Sequence, residues 1–194
     1  LFFPNRCIFC RQIVASDQHI CESCKENHLP QEITREIVWP ECPTPILCQS
    51  VYAYCGEVKR SILDFKFHGK RENAGFYADV LKEMLFPHPH TLHIDCITDV
   101  PLSKKRKQER GYNQSELIAR ELSCLLEIPY RPVLEKIKQN EAQHTLSAKE
   151  RQENVQGVYQ VKRKEPVQGK SILLVDDVVT TGATLGASAA ALYA

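Results

Sequence analysis

The chain has 194 residues, of which 43% are apolar and 25% charged, with a formal net charge of +1. Those values describe a globular chain with room for one domain, or for one domain plus a small module. They exclude a membrane-spanning segment, because no apolar run approaches the ~20 residues a bilayer requires, and they exclude a globally basic surface as the driver of nucleic-acid binding.

Leu1-Phe2-Phe3-Pro4 is too short for a signal-peptide core. The chain opens on leucine rather than methionine and is read as lacking its native first residues. Seven of the nine cysteines fall in the first 55 residues. In a chain without secretory features, such clustering points to metal rather than to a disulfide framework. Cys7-Ile-Phe-Cys10 and Cys21-Glu-Ser-Cys24 are two C-x-x-C pairs with ten residues between them. A two-residue gap turns both thiolates of a pair toward one point, and two such pairs complete a tetrahedral sulfur site for Zn²⁺. The alternatives are a redox pair, whose βαβ context is missing here, or disulfides. A module this short cannot bury enough surface to fold alone, so metal would supply the stability. Cys42, Cys48 and Cys55 form an incomplete second site, with His19 and His28 in reach, or replace one of the first four ligands, or are a set of partly buried free thiols. Pro40 to Pro45 reads as a linker, so residues 1–49 are expected to be a zinc-binding module and 50–194 a second domain.

Glu57 to Phe67 carries Val58, Ile62, Leu63, Phe65 and Phe67 at rough helical spacing, with Gly69 placed to stop the helix. Lys66 within it has the composition-level reading of a surface lysine. Asn73 to Phe86 is a clearer amphipathic helix through Phe76, Val80, Leu81, Met84 and Leu85. Ile94 to Leu102 reads as a strand. Ser103 to Gln114 follows as a cationic loop with Lys104, Lys105, Arg106, Lys107 and Arg110, suited to pyrophosphate or a nucleic-acid backbone, or simply solvated. Tyr112 is available there for base stacking. Gly111 to Glu127 is a helix that buries Leu117, Ile118, Leu122, Leu125 and Leu126. Lys136 to Asn154 is polar and aperiodic, the pattern of a mobile functional loop such as a lid or of a disordered segment, and Gly157 to Val161 is a strand.

Ile172 to Val175 is an apolar strand ending in Asp176 and Asp177. Carboxylates at the carboxyl end of a parallel strand face the ligand edge of the sheet. They suit sugar hydroxyls rather than phosphate. Thr180-Thr-Gly-Ala-Thr184 follows as a small hydroxyl-rich loop, and a helix from about Leu185 would point its positive end at a phosphate. This run resembles the phosphoribosyl pyrophosphate (PRPP) motif of the type I phosphoribosyltransferases, an acidic pair followed by Thr-Thr-Gly-x-Thr. The resemblance implies Asp176 and Asp177 on the ribose hydroxyls, as the catalytic pair if the chain is an enzyme. It also implies Thr180, Thr181, Gly182, Ala183 and Thr184 around the 5′-phosphate.

Taken in order, the segments resemble the ComF-type competence proteins. The resemblance rests on the paired C-x-x-C, Lys66-Phe-His-Gly69, Val100-Pro-Leu-Ser103, Arg110-Gly-Tyr-Asn113, Gln143, Leu146-Ser147, Arg151, Asn154 and the Asp176-Asp177 run. It implies an α/β fold with a type I phosphoribosyltransferase-like parallel sheet flanked by helices, behind a small zinc module. It further implies cytoplasmic handling of incoming single-stranded DNA during natural transformation, at the inner face of the membrane through partners such as a competence helicase. PRPP with Mg²⁺ would lie across the Asp pair, the Thr180–Thr184 loop and the strand end at Pro101-Leu102. Lys104, Lys105 and Arg106 would balance the pyrophosphate charge. Whether phosphoribose is transferred stays open at this point, because no residue identifies an acceptor. The chain ends at Ala194 inside the helix after the loop, and at least one further strand is expected beyond it.

Overall fold

A computed structural model describes residues 4–85, 93–138, 157–162 and 167–194. The first C-x-x-C turn is a tight knuckle. Cys7 N donates to Gln12 O at 2.8 Å and Arg11 N donates to Cys7 O at 2.9 Å, which requires a left-handed Arg11 at φ 68°. The second pair straddles the start of a one-and-a-half-turn helix α1 (Glu22–Asn27), with Cys21 at its N-cap position.

β1 (Ile33–Ile37) and β2 (Ile46–Ser50) pair antiparallel from Ile33↔Ser50 to Ile37↔Ile46. The proline-rich stretch between them is therefore the connection of a hairpin. The hairpin alternates as a half-buried sheet must. Ile37, Trp39 and Cys48 are buried, while Glu36, Val38 and Leu47 face out.

α2 (Gly56–Phe67) buries Val58, Ile62 and Phe65 and ends at His68, with Gly69 at φ 70° beyond it. Gly69 is thus the expected stop, since the left-handed conformation favours glycine. Phe67 is 60% exposed and lies off the buried face. α3 (Asn73–Leu85) buries Phe76, Tyr77 and Val80 in the same cluster as Val58, Ile62 and Phe65 of α2.

β3 (Cys96–Asp99) is buried at all four positions. It pairs in parallel with β6 (Ile172–Val175), from Cys96↔Ile172 to Asp99↔Val175. On its other side Ile97 bridges in parallel to Tyr130. Leu173 and Val175 pack into one cluster with Phe65, Tyr77, Ile118 and Leu122, whereas Leu174 packs into a second with Trp39, Tyr159 and Ala187. Opposite faces of one strand therefore serve two cores, which is why these strands read as continuous apolar runs. The α/β class and the parallel sheet expected from the sequence are both present.

The segment read as a cationic loop is a helix, α4 (Lys104–Arg110), because Ser103 caps it by accepting from Arg106 N at 3.3 Å and Gly111 closes it at φ 77°. α5 (Gln114–Leu126) starts three residues later than expected, at an Asn113 cap, and buries Ile118 and Leu122. β4 (Leu134–Lys136) and β5 (Tyr159–Val161) form a short antiparallel pair. Gln143, Leu146, Ser147, Arg151 and Asn154 lie outside the described residues. α6 (Ala183–Tyr193) follows the strand-end loop. Among the described residues no helix is long and apolar enough to cross a membrane.

The cysteine-rich segment packs against the α2–α3 layer. Phe9 is fully buried, stands edge-on to Phe76 at 5.7 Å and to Tyr52 at 5.8 Å, and its carbonyl accepts from Arg60. Arg11 reaches Asp64 of α2 at 2.7 Å.

Candidate functional site

Parallel pairing sets the site. With Asp99 opposite Val175, and Val100 N donating to Val175 O at 3.0 Å, the chain leaves both strands at the same sheet edge. Asp176 therefore emerges beside the Val100–Ser103 turn. From the third side comes α5, whose Asn113 cap donates to Asp99 Oδ2 at 2.7 Å and to Val100 O at 2.9 Å. Asn113 Oδ1 in turn accepts from Ser115 N, and Ser115 Oγ donates to Asp176 Oδ1 at 3.0 Å. Behind this chain Tyr130 OH donates to Asp99 Oδ1 at 2.5 Å. Burial pushes Asp99 above its ordinary value, and its bonds to Asn113 and Tyr130 tie the start of α5 to the strand end.

The two carboxylates are held differently. Asp177 Oδ1 pairs with Lys66 Nζ at 2.9 Å, both side chains largely shielded at 12% and 16% exposure. Asp176 accepts from Ser115 and from the Asp177 backbone N–H at 3.0 Å. Burial first, and then the Asp177 charge, push Asp176 up to about 7, against the opposing pull of Lys66 and Ser115. One member of the pair is thus held by a lysine, and the other is pushed up to about 7.

Cations gather opposite. Arg110 donates to Gln114 Oε1 at 3.1 Å, lies 5.0 Å over the Phe67 ring and feels the Asp177 charge. Burial, and then Arg106, push Lys136 down to about 8, while Asp176 pulls the other way. Tyr159, raised by burial, feels the same Asp176 and Arg106 charges. The other basic residues of α4 divide. Lys104, Lys105 and Lys107 are exposed, Lys105 lying 4.0 Å from Glu109 and Lys107 paired with Glu116 at 2.9 Å, whereas Arg106 is half-buried. Pro101 and Leu102 are half-buried at the strand end.

The loop after the Asp pair folds into a pocket lined by Asp176 and residues 178–185. Gly182 turns it at φ 85°, and Thr181 Oγ1 accepts from Ala183 N at 3.3 Å at the start of α6. Backbone N–H groups at that helix start, with no acidic residue in its first turn, are the physical requirement for an anion.

At the other end of the chain, the sulfur atoms of Cys7, Cys10, Cys21 and Cys24 all lie within 4.8 Å of one another, with Cys10 and Cys21 at 3.6 Å. A tetrahedral Zn–S site with bonds of about 2.3 Å has S···S edges of about 3.8 Å. The cluster can hold a metal and is compatible with zinc. Cys7 is pushed down to about 6, against burial, by N–H groups of Cys10, Cys21 and Phe9, while burial pushes Cys24 up. Cys24 also belongs to a second group with His28 and Glu57, whose side chains meet at 2.6 Å. Cys42, Cys48 and Cys55 belong to neither group.

Sequence reasoning assigned no site role to Ser115, Lys136 or Tyr159, and took Lys66 as a surface residue on composition. None of them lies in the strand–loop–helix run that marks a phosphate site. Tyr112 must be corrected. It is 6% exposed, its hydroxyl donates to Phe65 O, and Arg71 covers its ring at 4.7 Å, so it cannot stack on a base.

Residues 110–193 match the family model described as a phosphoribosyl transferase domain. Competence protein F of Haemophilus influenzae is 38% identical over 95% of this chain and 89% of its own length. Competence protein ComFC of Bacillus subtilis is 31% identical over 92% and 74%. DNA utilization protein YhgH of Escherichia coli is 29% identical over 92% and 80%. No solved structure matches the chain at a significant level.

Proposed function

This chain belongs to the ComF-type family of competence proteins, and on that premise we propose that it binds PRPP with Mg²⁺ at the Asp176–Asp177 strand end and serves the uptake and handling of single-stranded DNA in natural transformation. The observation that carries the reading is the juxtaposition of a Lys66-held Asp177, a Ser115-held Asp176 and the Gly182 turn at the start of α6. The Asp pair takes the ribose 2′- and 3′-hydroxyls. The Thr180–Thr184 loop takes the 5′-phosphate. Pro101, Leu102 and the α4 residues Lys104, Lys105 and Arg106 border the pyrophosphate. The donor set fits Mg²⁺, a hard cation that takes carboxylate and phosphate oxygens. When bound, the ion would supply charge neutralisation at the pyrophosphate. Residues 1–49 form the zinc-binding module of this reading, and 50–194 the phosphoribosyl domain.

The test is calorimetric titration with PRPP–Mg²⁺ and with single-stranded DNA, separately and in competition, on the wild type and on Asp176→Ala. PRPP binding should be lost in the variant. Equal PRPP affinity in both proteins would sink the assignment.

A second reading is phosphoribosyl transfer to an acceptor. It is favoured by the cations around the dyad: Arg110 feels the Asp177 charge and Lys136 the Asp176 and Arg106 charges, a set suited to balancing a leaving pyrophosphate. In that step the C1–O bond to pyrophosphate breaks and an acceptor nucleophile bonds C1, its proton passing to a base. Pyrophosphate release from PRPP across a panel of bases and amines decides it. Binding without release would leave a PRPP sensor.

A further inference from the structure

The β1–β2 hairpin lies far from the phosphate loop in sequence yet touches it at three consecutive places. Arg35 Nη1 donates to Thr180 O at 2.6 Å. Ile37 sits on Gly182, where an added Cβ would come within 2.9 Å of Ile37 Cδ1. The Trp39 ring covers Gly186 on the first turns of α6, where an added Cβ would lie 2.2 Å from Cε3. Every second residue of the strand and its extension thus meets the loop or its helix, which is the spacing that one face of a β-strand provides. Ile37, Trp39 and Cys48 share a core with Ala183, Leu185 and Ala187.

Arg35 is the unusual member. Its Nε and Nη2 are shielded from solvent and have no hydrogen-bond acceptor, and no carboxylate pairs with it among the described residues. Shielding a guanidinium that makes one bond carries a desolvation cost. A strand that needed only to pack would be better served by an apolar residue there. The one bond it makes fixes a carbonyl in the loop. A carbonyl held on that side commits the next peptide planes, whose N–H groups form the anion turn, and the uncompensated positive charge stays beside them.

We propose that the β1–β2 hairpin is a clasp on the phosphate loop and that Arg35 is its positioning residue, setting affinity for the 5′-phosphate of the ligand. The proposal rests on the reading of Thr180–Thr184 as the 5′-phosphate site. It makes the region in front of the phosphoribosyl domain part of that domain's binding machinery. It also assigns glycine at 182 and 186 to close approach by the hairpin as well as to the loop turn.

The experiment uses the full chain with Arg35→Ala, Arg35→Lys and, as a control on the outward face of the same strand, Glu36→Gln. Binding of ribose 5-phosphate, of inorganic pyrophosphate with Mg²⁺ and of PRPP with Mg²⁺ is measured for each. Arg35→Ala should weaken ribose 5-phosphate and PRPP about tenfold, the size of one charge-assisted hydrogen bond, and leave pyrophosphate within about twofold. Arg35→Lys, which keeps a donor for Thr180 O, should recover most of the loss. Glu36→Gln should match the wild type. Equal loss of all three ligands would reduce Arg35 to a fold residue and overturn the proposal, as would unchanged ribose 5-phosphate affinity in Arg35→Ala. Amide exchange without ligand supplies the independent arm. Residues 181–185 should exchange faster in Arg35→Ala while β3 and α5 do not change, and unchanged exchange there would overturn the clasp. Wild-type protein that binds none of the three ligands would sink the PRPP reading, and the exchange arm would still decide the clasp.

Discussion

The cysteine cluster and the strand-end pocket are both gatherings of ligand-type side chains, but they are assembled over very different lengths of chain. The sulfur cluster needs only the 18 residues from Cys7 to Cys24, and two local turns shape it. Around the strand-end pocket the site draws Lys66 from α2, Arg110 from the end of α4, Ser115 from α5, Lys136 from β4, and the Asp pair with its loop from β6 onward. The local site is shaped by two short turns that a bound metal would tie together, and it packs on α2 and α3 as part of their core. A distributed site inherits rigidity from the sheet and helices that bring its parts together. Breaking the first should therefore unfold structure, whereas breaking the second should remove binding and leave the fold standing.

Metal removal tests the contrast most severely. Structural zinc contributes on the order of 10 kcal/mol to modules that cannot fold alone. Cys7 and Cys24 are buried in the same cluster as Phe65, Tyr77 and Ile97, so the loss should spread beyond the knuckles. The expected result is one metal per chain by elemental analysis, and a fall in Tm of at least about 10 °C on chelation or in Cys24→Ala. A fall of only a few degrees would show that the knuckles are a surface feature of a self-sufficient domain.

Asp177→Ala is next in size, and it should act in the opposite way. PRPP–Mg²⁺ affinity should fall at least about 100-fold, since the variant loses the carboxylate proposed for a ribose hydroxyl and the partner that holds Lys66. Stability should fall by about 2 kcal/mol, below the usual cost of breaking a fully buried pair because both side chains keep some contact with water. Denaturant titration and calorimetry on the same samples separate the two effects. Global unfolding of this variant would erase the distinction between the sites.

Asp176→Asn sharpens the electrostatic side. In the unfolded chain Asp176 titrates near its ordinary value of about 4, while burial and Asp177 push it up to about 7 in the fold. The raised group makes a stabilising contribution that is fully present below about pH 4 and is lost as pH rises to about 7. Above that the penalty is constant. Asn carries no such penalty, so Tm of Asp176→Asn minus Tm of wild type should grow from pH 4 to 7 and then level off. PRPP–Mg²⁺ affinity of the wild type should rise over the same range as the carboxylate ionises. A Tm difference that does not vary with pH would remove the neutral-range titration of Asp176.

The same contrast explains what the sequence made legible. Cys7, Cys10, Cys21 and Cys24 could be read because their geometry is nearly a function of spacing. The Asp176 to Thr184 run could be read because strand, acids, loop and helix are contiguous. Ser115 and Lys136 could not, since each reaches the dyad only through the pairing of β3 with β6 or of β4 with β5. The hairpin was missed because Pro40 to Pro45 looks like a linker and the flanking runs are only five residues each. The cationic loop became α4 because a Ser103 cap and a Gly111 stop outweigh the repulsion among its lysines and arginines, two of which are drawn off by acidic neighbours: Lys107 by Glu116, and Lys105 by Glu109 at 4.0 Å.

That division within α4 yields the smallest effect, and it separates DNA from PRPP. Lys104 and Lys105 are exposed on the outside of the helix, while Arg106 is half-buried and shares its electrostatic surroundings with Lys136 and Tyr159. A strand running past the pocket can meet the two lysines from solvent, and each phosphate contact contributes about 0.7 to the salt dependence of single-strand binding. Lys104→Ala with Lys105→Ala should therefore lower the slope of log affinity against log salt by about 1.4. Stability should stay within about 0.5 kcal/mol, as for exposed charges generally. PRPP affinity should drop less than about threefold, and less than in Arg106→Ala, because long exposed side chains lose rotamer freedom when they engage a small ligand. An unchanged slope would move the strand off this helix. A PRPP loss equal to that of Arg106→Ala would instead make both lysines pyrophosphate contacts as strong as Arg106.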